Sequence, residues 1–241
     1  MSLRRIIAGT LLLAFAMPAA AQDDLQARLA TAKHRVQLLE DQDAIENLQA
    51  TYGYYFDKGL WTQAASLFTR TGSFEYGQRG VYIGNVRIAK AMLLFGPEGL
   101  ARGYLNVHMM LQPYIVVADD GRTATARWQG MIQLAQPNAS GVWGVGITTS
   151  DYVKEGGVWK IARLQFWVTA LTDYDQGFTK SLIPIDGPSA LFPPDKPPTV
   201  AYRSLPGNYV PPFAFNHPVT GKPLGDIPQP SDSVLGREGK K

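Results

Sequence analysis

The sequence predicts an α+β fold: a curved antiparallel sheet wrapped around N-terminal helices, a cone-shaped α+β barrel followed by an extended Pro-rich strap. Three observations predict it. Apolar residues recur at three- and four-residue steps from Asp24 to about Lys58, the helical period. From Tyr104 to Ala170 the period falls to two, with turn signals between runs, which reads as strands. After Asp173 prolines crowd in while aromatics persist. Helices first and a meander of long strands afterwards is an α+β layout. A sheet curved around its helices leaves a pocket inside the cone.

The elements follow in order. Residues 1–21 read as a Sec leader: basic Arg4 and Arg5, apolar Ile6 to Met17, then Pro18-Ala19-Ala20-Ala21 for cleavage after Ala21. The apolar run falls short of the ~20 residues that span a bilayer, so export, to the periplasm, is expected, with no membrane attachment once the leader is cut. An N-terminal helix occupies 22–42, with Leu25, Leu29, Val36 and Leu39 on its apolar positions. Asp41 or Asp43 is positioned to cap a second helix, Ala44 to about Asp57, which stops near Gly59. Trp61 to Phe68 is a short third helix, Ser73 to Tyr76 a short strand, and Asn85 to Leu94 a helix. Four strands complete the domain at 43–172: Tyr104 to Ala118, Thr123 to Leu134, Val142 to Lys154 and Val158 to Ala170. Asp119-Asp120-Gly121, Pro137 to Gly141 and Glu155-Gly156-Gly157 are the turns between them. The strap spans 173–228. Its Phe192, Tyr202, Tyr209, Phe213 and Phe215 imply packing on the domain or on a neighbouring subunit. Residues 229–241 read as a disordered tail.

Composition narrows the function. The chain has 241 residues and no cysteine, which excludes disulfides, thiolate metal sites and a cysteine nucleophile. Formal net charge is +3, near +1 without Arg4 and Arg5, and no basic patch interleaves with aromatics. Nucleic-acid binding is not expected. With one central histidine a closed zinc site is not expected either. No phosphate loop, dinucleotide fingerprint or GxSxG elbow stands in the right context. The expected chemistry therefore uses no metal and no cofactor. Eleven tyrosines and five tryptophans suggest a structure, or a pocket, rich in aromatic surface.

Residues 43–169 carry a family resemblance. The opening "DQDAIENLQATYGYYFDKGLWTQAASLFTRTGSFEYG", the later "HMMLQPYIVVADDGRTATARWQG" and the closing "GVWKIARLQFWVT" resemble, in order and spacing, the SnoaL-like branch of the nuclear transport factor 2-like superfamily. The resemblance implies helices enclosed by a curved antiparallel sheet, assembled as a homo-dimer or homo-trimer. It implies no single activity, since the superfamily includes dehydratases, isomerases, epoxide hydrolases, polyketide cyclases and proteins that only bind.

The candidate site combines both sources. Tyr52 and Asp57 stand five apart near a helix end, and His108 lies on the first long strand. Members similar to the bile-acid dehydratase bring such a Tyr, Asp and His together in the pocket. An imidazole exchanges protons near neutral pH, and Asp57 on its far nitrogen would fix the tautomer. The residues alone leave other readings open: a hydrogen-bonded core histidine, a solvated aspartate at a helix end. Tyr55 shares a helix face with Tyr52 and is the second phenol candidate, against simple aromatic packing. Tyr76, Tyr104, Arg79, Arg127 and Trp128 are candidates for substrate contact, the last two depending on which face of their strand looks inward. The strap "YVPPFAFNHPVTG" is similar to one in exported lignin-derived diarylpropane lyases. That resemblance implies a lyase expelling formaldehyde, water or both from a hydroxylated aromatic. A non-catalytic periplasmic carrier of an aromatic or polycyclic ligand, or an isomerase or dehydratase of a polycyclic substrate, are the alternatives.

Overall fold

The computed structural model describes residues 19–230. Most of the leader expected at 1–21 and of the tail expected at 229–241 lies outside the described residues. The elements are α1 (Ala19–Asp57), α2 (Trp61–Ser66), β1 (Phe68–Tyr76), β2 (Val81–Ile83), α3 (Asn85–Met92) with a 3-10 turn at Leu93–Phe95, β3 (Leu105–Val117), β4 (Thr123–Gln136), β5 (Ser140–Glu155) and β6 (Val158–Asp173). Among the described residues no helix is long and apolar enough to cross a membrane.

Helix α1 is continuous where a break at Asp41–Asp43 was expected. Asp41 caps nothing. Its side chain is buried, and Oδ1 accepts from Lys154 Nζ at 2.5 Å and Trp159 Nε1 at 2.9 Å. A carboxylate whose Oδ1 is claimed by the sheet does not compete for the helix backbone, so the helix runs through it. It ends at Asp57, two residues before Gly59, whose φ of 64° is left-handed, and the Leu60 N–H turns back to the Tyr55 carbonyl at 2.9 Å.

The sheet is open and mixed, in the order β2-β1-β6-β5-β4-β3. All neighbours are antiparallel except β1 and β6, which run parallel. β1 is longer than the strand expected at Ser73 to Tyr76, starting at Phe68, with its pairing irregular between Phe68 and Ser73. Strand parity sorts β4 cleanly: Ala124, Ala126, Trp128, Gly130 and Ile132 are buried, while the odd positions between them are half-buried on the other face. Ala124, Ala126 and Trp128 share a core with Ile45, Tyr52 and Phe56 of α1 and with Trp61, Phe68, Phe74, Ile88 and Leu164, while Ile132 packs with Phe166 and Val168 in a second cluster.

Residues 174–230 contain no helix or strand beyond isolated bridges, yet they are tied to the domain. The Tyr202 hydroxyl accepts from Val168 N at 2.8 Å. Thr199 donates its N–H to Glu75 at 2.8 Å and its hydroxyl to the same carboxylate at 2.5 Å. Asp195 meets Arg87 at 3.0 Å, and Phe215 stacks on Tyr114 with centroids 3.9 Å apart.

Candidate active site

The end of α1 and the start of β3 are joined by side chains. Asn106 donates its amide to the carbonyls of Phe56 and Asp57 at 3.2 and 3.1 Å. Two residues on, on the same face of the strand, the His108 N–H donates to Asp57 Oδ1 at 2.7 Å, and His108 Nδ1 lies 3.3 Å from the same oxygen. Both side chains are largely buried, at 9% exposure for His108 and 13% for Asp57. A carboxylate only accepts, so it selects the tautomer with a proton on Nδ1 and leaves Nε2 free. The imidazole stands edge-on to Phe56, with centroids 4.8 Å apart.

His108 of this pair lines a small cavity together with Tyr52, Phe56, Tyr76, Met110, Thr148, Leu164 and Phe166, with Asp57 behind it. Its volume is about 20 Å³, room for roughly one water molecule. Tyr76 stacks on Phe166 at 5.1 Å and meets Phe95 edge-on at 4.8 Å. Phe166 fits because β4 and β5 carry no side chain beneath it: a Cβ on Gly130 would lie 2.6 Å from its ring, and one on Gly146 would also overlap it. Burial pushes the Tyr52 phenol well above its ordinary pKa, and the neighbouring Tyr76 and Asp57 add to this. Burial raises Tyr76 likewise, against the pull of Arg79. Both phenols are therefore protonated hydrogen-bond donors at any working pH.

The structure thus brings together Tyr52, Asp57, His108 and Tyr76. Arg79 sits just outside, its guanidinium 5.4 Å over the Phe95 ring and 2.5 Å from Asp186 of the strap. Four expected residues are elsewhere. Tyr55 packs on the core but does not line the cavity, because a step of four, to Phe56, stays closer to the Tyr52 face than a step of three. Tyr104 precedes β3 and is 48% exposed. Trp128 faces inward but lies deep in the core, donating to the Tyr152 hydroxyl at 3.2 Å. Arg127, one residue away and so on the opposite face, donates to the carbonyls of Pro211 and Pro212 and lies 4.3 Å over the Phe213 ring. Phe56, one turn from Tyr52 on α1, was missed; so, on the strands, were Met110, Thr148, Leu164, Phe166 and the positioning Asn106. Parity from His108 points to Asn106 and Met110; the other strand residues depend on register.

Comparison with known proteins places the fold. The SnoaL-like domain profile matches residues 37–165. The chain belongs to the SnoaL-like domain family. Among solved structures, a scytalone dehydratase-like protein from Novosphingobium aromaticivorans DSM 12444 is 21% identical, with a TM-score of 0.51 over 65% of this chain and 97% of that one. An NTF2-like protein with a cystatin-like fold from Novosphingobium aromaticivorans is 22% identical, with a TM-score of 0.49 over 58% of this chain and 89% of its own. These likenesses concern the fold. No functionally curated protein matches the chain.

Proposed function

We propose that this SnoaL-like protein is an exported, cofactor-free lyase that eliminates formaldehyde and water from a hydroxylated aromatic substrate, a diarylpropane diol of the lignin-derived type. The observation that carries the reading is His108, held by Asp57, at the wall of an aromatic cavity that two neutral phenols also line. Such a set moves protons and holds oxygen; it supplies no redox chemistry.

The proposed reaction balances. Protonated His108 delivers its Nε2 proton to the benzylic hydroxyl, which leaves as water while the substrate's para-hydroxyl loses its proton to solvent. The quinone methide so formed is the electron sink. Neutral His108 Nε2 then takes the proton of the terminal hydroxyl. The bond between the terminal carbinol carbon and the chain breaks, its electron pair flows into the quinone methide, and formaldehyde leaves. The products are a stilbene phenolate, reprotonated from solvent, formaldehyde and water. Asp57 stabilises the imidazolium by its charge. The Tyr52 and Tyr76 hydroxyls donate to substrate oxygen as charge develops. A substrate of this size needs several hundred Å³, against the roughly 20 Å³ of the cavity, so the reading requires the cavity to open on binding.

Formaldehyde and stilbene release from a para-hydroxy diarylpropane diol tests the reading. Turnover is expected from the wild type, loss of it from His108→Ala, and none by any variant on the para-methoxy analogue, which cannot form a quinone methide. Ligand binding without turnover in the wild type would favour a carrier of aromatic ligands. A product lighter by water alone would favour a dehydratase, and a product of unchanged mass an isomerase. Export rests on Arg4, Arg5, the apolar run and the small residues ending at Ala21. N-terminal sequencing of periplasmic protein should begin at Gln22.

A further inference from the structure

Helix α1 carries two stripes. Asp41, Ile45, Gln49, Tyr52 and Phe56 are buried against the protein's own sheet. Leu25, Leu29, Ala32, Val36 and Leu39 form the other, at alternating steps of four and three, the spacing of a coiled-coil seam. Its large members are all bare: Leu25 is 51% exposed, Leu29 44%, Val36 53% and Leu39 61%. At roughly 100° per residue the two stripes lie about 160° apart around the helix. The outer seam is therefore no extension of the core face; it looks away from its own domain.

Residues 22–37 are exposed on every side, and Leu38 alone among 22–40 is half-buried. A helical segment of this length with nothing packed on it is marginal in water. The seam also has an end. Continuing its spacing reaches Asp43 and Glu46, both exposed charges, where α1 is already seated on the sheet. It is narrow, lacks aromatics, and is bordered by Asp24 and Glu40 as well as bases. A helix that lies on a membrane needs a broader face with Trp, Phe and Leu. Two positions per heptad is the width that matches a second helix of the same kind.

The flanking charges choose the direction. Arg28 and Arg35 border the seam on one side; Gln26, Lys33 and Glu40 border it on the other. Antiparallel pairing would set the two arginine sides against each other with no acid between them. Parallel pairing sets Arg35 against Glu40 of a second copy, five residues on. It also brings Arg28 near Lys33 of that copy, but Arg28 has its own Asp24 at 3.9 Å. We propose that residues 22–40 form a parallel, in-register coiled coil with the same segment of a second copy of this chain. The two bodies then sit side by side in a closed symmetric assembly, whatever reaction the pocket performs.

The absence of native cysteine makes the test clean. In the full chain, Leu29→Cys places the only thiol in the seam, and His34→Cys places it on the far side of the helix. Mild oxidation should give at least about ten-fold more covalent dimer from Leu29→Cys, as expected for facing seam positions. Sedimentation should show wild type as an oligomer and Leu29→Asp/Val36→Asp as a smaller species, with the near-ultraviolet dichroism of the tryptophans unchanged. Equal cross-linking at both positions, none at Leu29→Cys, or unaltered sedimentation of the double variant would overturn the proposal. So would association of the helix with phosphatidylglycerol vesicles in place of a second copy.

Discussion

Helix α1 offers two carboxylates to the sheet, sixteen residues apart, and the sheet treats them differently. Asp41 is met by a cation, Lys154, and by the Trp159 N–H on the same oxygen. Burial alone would raise its carboxyl, but these partners and Gln37 outweigh it and hold the pKa below the ordinary 3.8. Asp57 is met instead by the N–H and the ring of His108, donors that carry no fixed charge. The first arrangement holds a charge still. The second puts a carboxylate against a group whose own proton can move. Burial and hydrogen bonding on one helix thus give one aspartate a fixed cationic partner and the other a partner whose proton can move.

The largest effect should come from His108→Ala and Asp57→Asn. We expect turnover to fall by about 10²–10⁴, the usual worth of a positioned acid–base group and its orienting partner, measured as formaldehyde release at saturating substrate. Gly146→Ala comes next. Its new Cβ would overlap the Phe166 ring and approach the Trp167 carbonyl to 2.5 Å. Overpacking of this kind costs about 2–3 kcal/mol and drives Phe166 toward the cavity, so thermal stability and turnover should fall together. Asp41→Asn should cost about 2 kcal/mol, since it removes the negative charge that Lys154 faces, and lower Tm by about 4–8 °C for a chain of this size. Because the native pKa of Asp41 is depressed, its contribution is complete above 3.8 and is lost as pH falls through the native value. The stability gap between wild type and Asp41→Asn should therefore close in acid, read as urea midpoints against pH. Arg127→Ala should cost only about 0.5–1 kcal/mol. It should speed proteolysis of the strap near Phe213 without changing turnover.

The sequence displays what is local and periodic. The four long strands and their turns are legible because alternation and Gly-containing turns are encoded residue by residue. The family motifs bring Tyr52, Asp57 and His108 together on paper, and the structure brings them together in space. What is hidden depends on partners far along the chain. Asp41 resembles a helix cap until Lys154 and Trp159, more than a hundred residues away, claim its oxygen. The parallel pairing of β1 with β6 leaves no mark in either strand. A shift of one residue decides that Trp128 lies in the core and Arg127 on the opposite face, and parity cannot be assigned until register is known. Phe166 stacks on Tyr76 only because two glycines on neighbouring strands make room, a fact of pairing rather than of composition.

The most direct test sets the two aspartates against each other. Formaldehyde released per folded molecule, at saturating para-hydroxy diarylpropane diol, should fall at least about a hundred-fold in Asp57→Asn and stay at the wild-type level in Asp41→Asn. Equal turnover in wild type and Asp57→Asn, or a loss confined to Asp41→Asn, would contradict the account.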